Sequence, residues 1–273
     1  MIRRLLLAIA SRLPAGLLRR IGAWQWTGPL ARRLVALGSA WIRQADVVIS
    51  HGAAAGLRFN TAGANPGYAL GTTEPLVQEA LRRLLRPGDV VYDIGANVGF
   101  FTVLAARLVG SGGAVVAFEP LPSTAEALRR NAALNGFAHV TVVARAVGRA
   151  AGAAKLALRE ESTWARLAAP GETGPTVDVE MVAIDDLVGS GAIRPPALVK
   201  IDVEGAELEV IAGMRRTIAA HHPTILCEMH GTNAAFAAQM AELEYGVTAL
   251  ESPLPLAEAP WDVHALATPG RSA

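Results

Sequence analysis

Beyond residue 89 the sequence alternates between short apolar runs and helix-length segments. The apolar runs are DVVYDIG, AVVAFEP and HVTVVARAV, and the segments between them are Phe100–Val109 and 123–134. The alternation resumes at ALVKIDVEG and PTILCEMHG, which precede predicted helices over 207–220 and 233–244. Strands that alternate with helices of this length form right-handed βαβ units and therefore a parallel sheet. The chain predicts an α/β fold, Rossmann-like and doubly wound.

Other segments depart from this alternation. Residues 74–85 carry apolar side chains at helical spacing and end at an Arg-Pro-Gly turn. KLALRE and VDVEMVAI alternate as strands do and predict an inserted antiparallel hairpin, while VTALES and DVHALAT predict a final strand pair. The glycine-broken stretch VVISHGAAAGLRFN predicts a small hairpin that leads into the main domain.

The first 46 residues predict a separate, basic and helical arm, followed by one domain over 47–273. Eight arginines precede the first acidic residue, Asp46, and leucines recur at intervals of three and four. This pattern is typical of a helix that contacts a membrane surface, or of one that packs on its own domain. The net charge of +1 gives no reason to expect nucleic acid. The opening apolar run is too short for a signal peptide, so we expect a cytoplasmic protein.

The first strand-to-helix turn, DIGANVG, predicts a nucleoside site. Gly95 and Gly99 let the backbone pass close beneath a ligand, and Asp93 ends the strand. The turn lacks the middle glycine of a dinucleotide-binding GxGxxG motif, and the acid at position 93 would repel a pyrophosphate. Glu119 ends the next strand at a spacing that suits a carboxylate on ribose hydroxyls. These features favour a nucleoside that carries an ammonium group and no phosphate.

Four segments together resemble the FkbM-type methyltransferases, a branch of the class I S-adenosylmethionine enzymes. They are LRPGDVVYDIGANVGFFT, AFEPLPSTAEALRRNAALN, LVKIDVEGAELEVIAG and PTILCEMHG, in family order and spacing. The resemblance covers about residues 47 to 268. It implies a mostly parallel seven-stranded sheet with a reversed final hairpin and S-adenosyl-L-methionine as methyl donor. It also implies O-methylation of a hydroxyl on a glycan, polyketide or other secondary metabolite.

The resemblance also assigns cofactor contacts. Asp202 would lie near the methionine amino group or the acceptor. The methionine and ribose would contact the turn, through Asp93, Gly95, Asn97 and Gly99. Glu119, at the second strand end, would hold the ribose hydroxyls. Ala146 and Val147, after the third strand, would flank the adenine.

A hydroxyl acceptor also needs a group that removes its proton. Asp202 and Glu204 follow the fourth strand, and Glu228 and His230 follow the fifth, so adjacent strands would bring all four together. His230 suits a general base at neutral pH, and the acids could orient a hydroxyl or, less favoured, hold Mg²⁺ or Mn²⁺. Glu74 precedes a predicted helix and could cap it or touch the cofactor.

Three alternatives to O-methylation remain open from the sequence. N-methylation on the same fold is one, and a non-catalytic, cofactor-binding or membrane-associated protein is another. A nicotinamide-dependent oxidoreductase is disfavoured by the missing glycine and by Asp93. The loop STWARLAAPGETGPT carries no feature that identifies the acceptor.

Overall fold

The computed structural model describes residues 45–158, 165–167 and 173–270. The strands are β1 (Val47–Val48), β2 (Arg58–Phe59), β3 (Val90–Ile94), β4 (Ala114–Phe118), β5 (Val140–Val143), β6 (Ala146–Val147), β7 (Gly152–Leu158), β8 (Ala165–Leu167), β9 (Thr176–Val182), β10 (Leu198–Ile201), β11 (Thr224–Glu228), β12 (Tyr245–Ala249) and β13 (His264–Pro269). The α-helices are α1 (Pro66–Leu70), α2 (Pro75–Leu84), α3 (Phe100–Val109), α4 (Pro122–Leu134), α5 (Ile184–Gly189), α6 (Glu207–Ala212), α7 (Arg215–His221) and α8 (Asn233–Glu242). A 3₁₀ turn covers Leu256–Glu258.

Within the described residues the main sheet has seven strands, in the order β12-β13-β11-β10-β3-β4-β5. Strands β11, β10, β3, β4 and β5 run parallel, and β13 is antiparallel to both of its neighbours. The predicted Rossmann-like, mostly parallel sheet with a reversed final hairpin is therefore confirmed. Strand order reverses between β3 and β10, and ligands bind at the carboxyl ends of the strands beside such a point.

The central strands are buried on both faces, as their unbroken apolar runs predict. Every residue of β3 and β10 is buried. Side chains alternate between the faces, so Tyr92 and Ile94 join the core on one side while Val91 joins the core on the other. Each fully buried side chain of this size stabilises the fold by about 1.5–3 kcal/mol, which holds the strand ends rigidly in place.

Two predicted elements are divided in the structure. The apolar run HVTVVARAV forms β5 and β6, which belong to different sheets, because a turn at Arg145 redirects the chain. The helix expected over 207–220 breaks into α6 and α7 at Gly213, where a Cβ would overlap the carbonyl oxygen of Gly148. Helix α5 was not predicted, and it begins where the strand-like run VDVEMVAI was expected to continue.

The inserted antiparallel hairpin is confirmed and is larger than predicted. Strand β7 pairs antiparallel with β9 and with β8, and β6 adds a parallel strand to β9. The arm predicted over 1–46 lies outside the described residues, apart from its last two positions. No helix in the described part of the chain is long and apolar enough to cross a membrane.

Candidate active site

A cavity of about 310 Å³ opens at the carboxyl ends of β3, β4 and β10. The glycine turn and β6 line one part of it, and α1, Glu74 and Glu228 line another part, the acidic end. The wall contains predicted residues from every motif, namely Glu74, Gly95, Asn97, Glu119, Ala146, Val147, Asp202, Glu204 and Glu228. It also contains residues that the sequence did not single out, among them Asn65, Tyr68, Thr73, Arg145 and Leu156. Asp93, Gly99 and His230 lie behind this wall.

The two glycines of the turn have different structural roles. Gly95 has a φ of 79°, and a Cβ there would overlap the main-chain oxygen of Asp202. The ends of β3 and β10 can therefore approach each other only with glycine at this position. Gly99 has a φ of 88°, and its Cβ would lie 2.7 Å from Leu128 Cγ. Gly99 thus allows close packing of α3 against α4 and does not reach the cavity.

Asp93 lies buried beneath the turn. Thr102 Oγ1 donates a hydrogen bond of 2.5 Å to Asp93 Oδ2. Asp93 Oδ1 is buried and has no hydrogen-bond partner among the described residues. Burial raises the pKa of Asp93, and the positive charge of Lys200 opposes this rise.

Glu119 presents a carboxylate to the cavity from the end of β4. It is 5% exposed, and it accepts main-chain N–H hydrogen bonds from Asn97, at 3.0 Å, and Leu121, at 2.9 Å. Burial raises its pKa to about 7, although both hydrogen bonds favour the ionised form. The two main-chain donors hold the carboxylate in place and leave lone pairs free for further donors.

A buried lysine, which the sequence did not single out, lies beside Asp202 and carries a charge opposite to that of Asp202 and Asp93. Lys200 is 3% exposed, its Nζ lies 3.2 Å from Asp202 Oδ2, and it sits 4.7 Å from the ring centre of Phe101. Burial alone would lower the pKa of Lys200, but Asp202, Asp93 and other carboxylates raise it. Burial raises the pKa of Asp202 to about 7 against the opposing charge of Lys200. The signal was a lysine inside the apolar run LVKI, where a charge requires a partner.

His230 connects the acids of β10 and β11 from behind the wall. Its Nδ1 lies 2.8 Å from Glu207 Oε1, and its Nε2 lies 3.8 Å from both Glu204 Oε2 and Glu228 Oε1. Burial alone would lower the pKa of His230, but the bond to Glu207 and the nearby carboxylates raise it to about 9. At neutral pH the ring therefore carries a proton and neutralises part of the negative charge of the acidic rim, which consists of Asp202, Glu204 and Glu228.

The predicted oxygen-rich cluster is assembled in part. Ligand atoms of Asp202, Glu228 and His230 lie within 4.8 Å of one another. Glu74 makes no side-chain hydrogen bond to the start of α2, and its carboxylate enters the cavity wall instead. Its neighbour there is His264, on β13, which the sequence analysis did not select. A histidine within an alternating strand carries no local signal of such a contact.

Ala146 and Val147 form the opposite end of the cavity. Both are buried in β6, and Leu156 of the inserted sheet closes the same end. Arg145 also lines this end, where its Nε bonds Glu180 Oε2 at 2.8 Å. The apolar surface here suits a planar base, while the acidic surface at the other end suits polar or cationic groups.

Known proteins are similar in sequence to this chain. The Methyltransferase FkbM domain matches residues 93–247. The chain is 31% identical over 203 residues to 31-O-demethyl-FK506 methyltransferase FkbM of Streptomyces tacrolimicus, covering 63% of this chain and 77% of that one. It is 29% identical over 156 residues to hexuronic acid methyltransferase AglP of Haloferax volcanii, covering 56% and 62%.

A solved structure of methyltransferase FkbM from Methylobacillus flagellatus has a TM-score of 0.46 and 19% identity, covering 89% of this chain and 60% of that one. The chain thus spans less than two thirds of that structure and of AglP. The matched FkbM domain takes in more than half of the chain, from the glycine turn through both acidic strand ends. The chain therefore belongs to the FkbM methyltransferase family and is an enzyme that transfers methyl groups.

Proposed function

We propose that this enzyme uses S-adenosylmethionine to methylate a hydroxyl on a glycan, polyketide or other secondary metabolite. The observation that carries the proposal is the cavity itself. Its wall combines the apolar residues Ala146 and Val147, the carboxylate of Glu119, which is suited to ribose hydroxyls, and the acidic end. The names of the two relatives support this acceptor class. One acts on 31-O-demethyl-FK506 and the other on a hexuronic acid.

The residues present fit the proposed cofactor. Glu119 would accept hydrogen bonds from ribose hydroxyls, since the main-chain N–H groups of Asn97 and Leu121 already hold its carboxylate. Ala146 and Val147 would flank the adenine. S-Adenosylmethionine supplies a methyl group on a positively charged sulfur, which leaves as a neutral thioether when an acceptor oxygen attacks.

Asp202 is the residue we propose as the acceptor of the hydroxyl proton. It lines the cavity at the end of β10, and its main-chain oxygen lies against Gly95, so it stands between the turn and the acidic rim. A pKa near 7 suits a group that takes up and releases a proton at neutral pH. Lys200 and His230 would hold the surrounding carboxylates in position as counter-charges. Glu204 and Glu228 would orient the acceptor.

Calorimetric titration with S-adenosylmethionine, S-adenosylhomocysteine and NADH tests the cofactor assignment. We expect micromolar binding of the first two and none of NADH. Asp93→Ala should weaken binding at least tenfold, because it removes a buried carboxylate from beneath the turn. The exposed residue Asp178, in the inserted sheet, provides the control Asp178→Ala, which should bind like the wild type. Binding of NADH alone, or unchanged affinity in Asp93→Ala, would overturn the assignment.

A turnover assay tests the acceptor class. Formation of S-adenosylhomocysteine should depend on an added hydroxyl compound from a panel of sugars, uronic acids and macrolides. Asp202→Asn should retain cofactor affinity and lower turnover at least a hundredfold, since removing a general base costs about 10²–10⁴ in rate. Turnover with amines and with no hydroxyl compound would replace this proposal by N-methylation.

A further inference from the structure

His264 is fixed so that one ring nitrogen faces two carboxylates at the acidic end of the cavity. Strand pairing places it opposite Glu228, at the junction of β13 with β11. Glu251 holds it from the other side: Oε1 lies 2.7 Å from His264 Nδ1, and Oε2 accepts the main-chain N–H at 2.8 Å. A hydrogen bond from Nδ1 to Glu251 leaves Nε2 as the free ring position, directed at Glu74 and Glu228.

Two of the three atoms that face each other here are buried and lack hydrogen bonds within the described part of the chain. His264 is 7% exposed, and its Nε2 and Glu74 Oε2 both have no hydrogen-bond partner among the described residues. Nε2 lies 3.3 Å from Glu74 Oε2 and 3.6 Å from Glu228 Oε2. Ligand atoms at about 2.1 Å from one divalent ion are separated by roughly 3.0–3.4 Å in octahedral or tetrahedral geometry. The observed separations are close to that range.

We propose that Glu74, Glu228 and His264 bind one divalent cation, of the Mn²⁺ or Zn²⁺ class, at the acidic end of the cavity. Ligand atoms of all three lie within 4.8 Å of one another. One imidazole and two carboxylates suit these ions better than Ca²⁺, which takes six to eight oxygens. Glu251 completes a carboxylate–histidine–metal arrangement, in which the outer carboxylate fixes the ring tautomer and orientation.

Backbone strain and charge support the same site. Glu74 has a φ of 42°, in the left-handed region, and such strain in a residue other than glycine concentrates at ligand sites. Glu74, Asp202, Glu204 and Glu228 all line the cavity, and Lys200 is the buried lysine beside them. These four carboxylates outnumber the neighbouring cations Lys200 and His230, and the remaining negative charge attracts a dication as well as a positively charged cofactor.

This site deepens the proposed function and rests on it for its role. Glu74 and Glu228 belong to the cavity wall, so an ion that they hold would face the acceptor. Its open coordination positions would take an acceptor hydroxyl, lower the pKa of that hydroxyl and align its oxygen for attack. The proton released would pass to Asp202. A uronic acid or a vicinal diol could coordinate the ion through two oxygens.

The test uses Mn²⁺ alone as the probe. The full-length protein is stripped with chelator and titrated with MnCl₂, and free Mn²⁺ is measured by its electron paramagnetic resonance signal. We expect one site with a dissociation constant in the micromolar range. His264→Ala and Glu74→Gln should each weaken it at least tenfold, and Glu251→Gln should weaken it about tenfold, the usual effect of removing an outer carboxylate.

His221→Ala is the matched control, because His221 is an exposed histidine at the end of α7 and does not line the cavity. It should retain the Mn²⁺ affinity of the wild type. S-Adenosylhomocysteine binding, measured on each variant, shows that the fold and the cofactor end are intact. Absence of Mn²⁺ binding at millimolar concentration would overturn the proposal, and so would unchanged affinity in both His264→Ala and Glu74→Gln. The contacts would then be a histidine–carboxylate ion pair. If Mn²⁺ binds and S-adenosylhomocysteine does not, the metal site stands and the proposed function fails.

Discussion

The pH dependence of cofactor binding should report directly on Glu119. Its pKa is about 7 in the free enzyme because the carboxyl is buried, whereas a ribose requires the ionised form as hydrogen-bond acceptor. At about pH 8 roughly 90% of the group is ionised, and at about pH 5.5 only about 3% is, for a pKa of 7. Affinity for S-adenosylhomocysteine should therefore fall about thirtyfold over this range, with release of one proton on binding at low pH.

The stability of the free enzyme should change in the opposite direction. The pKa of Glu119 is raised in the folded state from an ordinary value of 4.5, so between pH 4.5 and about 7 the folded state holds the extra proton. The contribution of Glu119 to the free energy of unfolding is thus present below pH 4.5 and is lost as the pH rises through 7. The loss amounts to about 3 kcal/mol, at 1.36 kcal/mol per pKa unit.

Glu119→Gln removes the titratable carboxyl group and puts an amide NH₂ donor in place of one of its oxygens. The amide NH₂ would face one of the two main-chain N–H groups that now bond the carboxylate, from Asn97 or Leu121. An unsatisfied buried donor costs about 1–3 kcal/mol, so affinity should fall roughly tenfold to a hundredfold. Calorimetry between pH 5.5 and 8, in buffers of different ionisation enthalpy, measures both affinity and proton release.

The exposed Glu126 on α4 provides the control, since Glu126→Gln removes an acid of the same kind outside the cavity. It should leave the pH profile unchanged. A wild-type affinity that is independent of pH would refute the reasoning, as would full affinity in Glu119→Gln at pH 6.

Three further perturbations test the geometry. Gly95→Ala should lower the free energy of unfolding in urea by about 2 kcal/mol or more, from left-handed strain and overlap with Asp202, whereas Gly152→Ala, in open space, should not. Lys200→Met should destabilise the protein by about 3–5 kcal/mol at pH 8, because it leaves buried acids without a counter-charge. The loss should be smaller at pH 5, where those acids are protonated. An equal loss at both pH values would contradict the role of Lys200 as their counter-charge. His230→Ala should keep S-adenosylhomocysteine affinity within about twofold and lower turnover at least tenfold, because Glu204 and Glu228 lose their counter-charge; unchanged turnover would assign His230 a structural role.

The sequence predicted where the strand-end acids lie, because its alternation of strands and helices indicates a parallel sheet. Alternating apolar runs and helices place all carboxyl ends at one edge, so Glu119, Asp202 and Glu228 had to share a rim. The glycine turn was equally readable, since only glycine allows the close approach at position 95. The breaks at Arg145 and Gly213 were not, because they depend on contacts between distant segments: the pairing of β6 with β9 and the close approach of Gly148 to Gly213.

Sequence alone thus determined the sheet, the glycine turn and the acids at the strand ends, because local periodicity and strand direction decide them. The tertiary structure decided which polar groups stand behind those acids. His264 meets Glu228 through an antiparallel register between strands far apart in the chain, and Lys200 is held among acids by burial. His264 leaves no local pattern, since a cross-strand partner is set by packing of the whole sheet and not by the spacing of its own segment. Lys200 stands out within LVKI as a charge that requires a partner, but the run does not show which acids supply it.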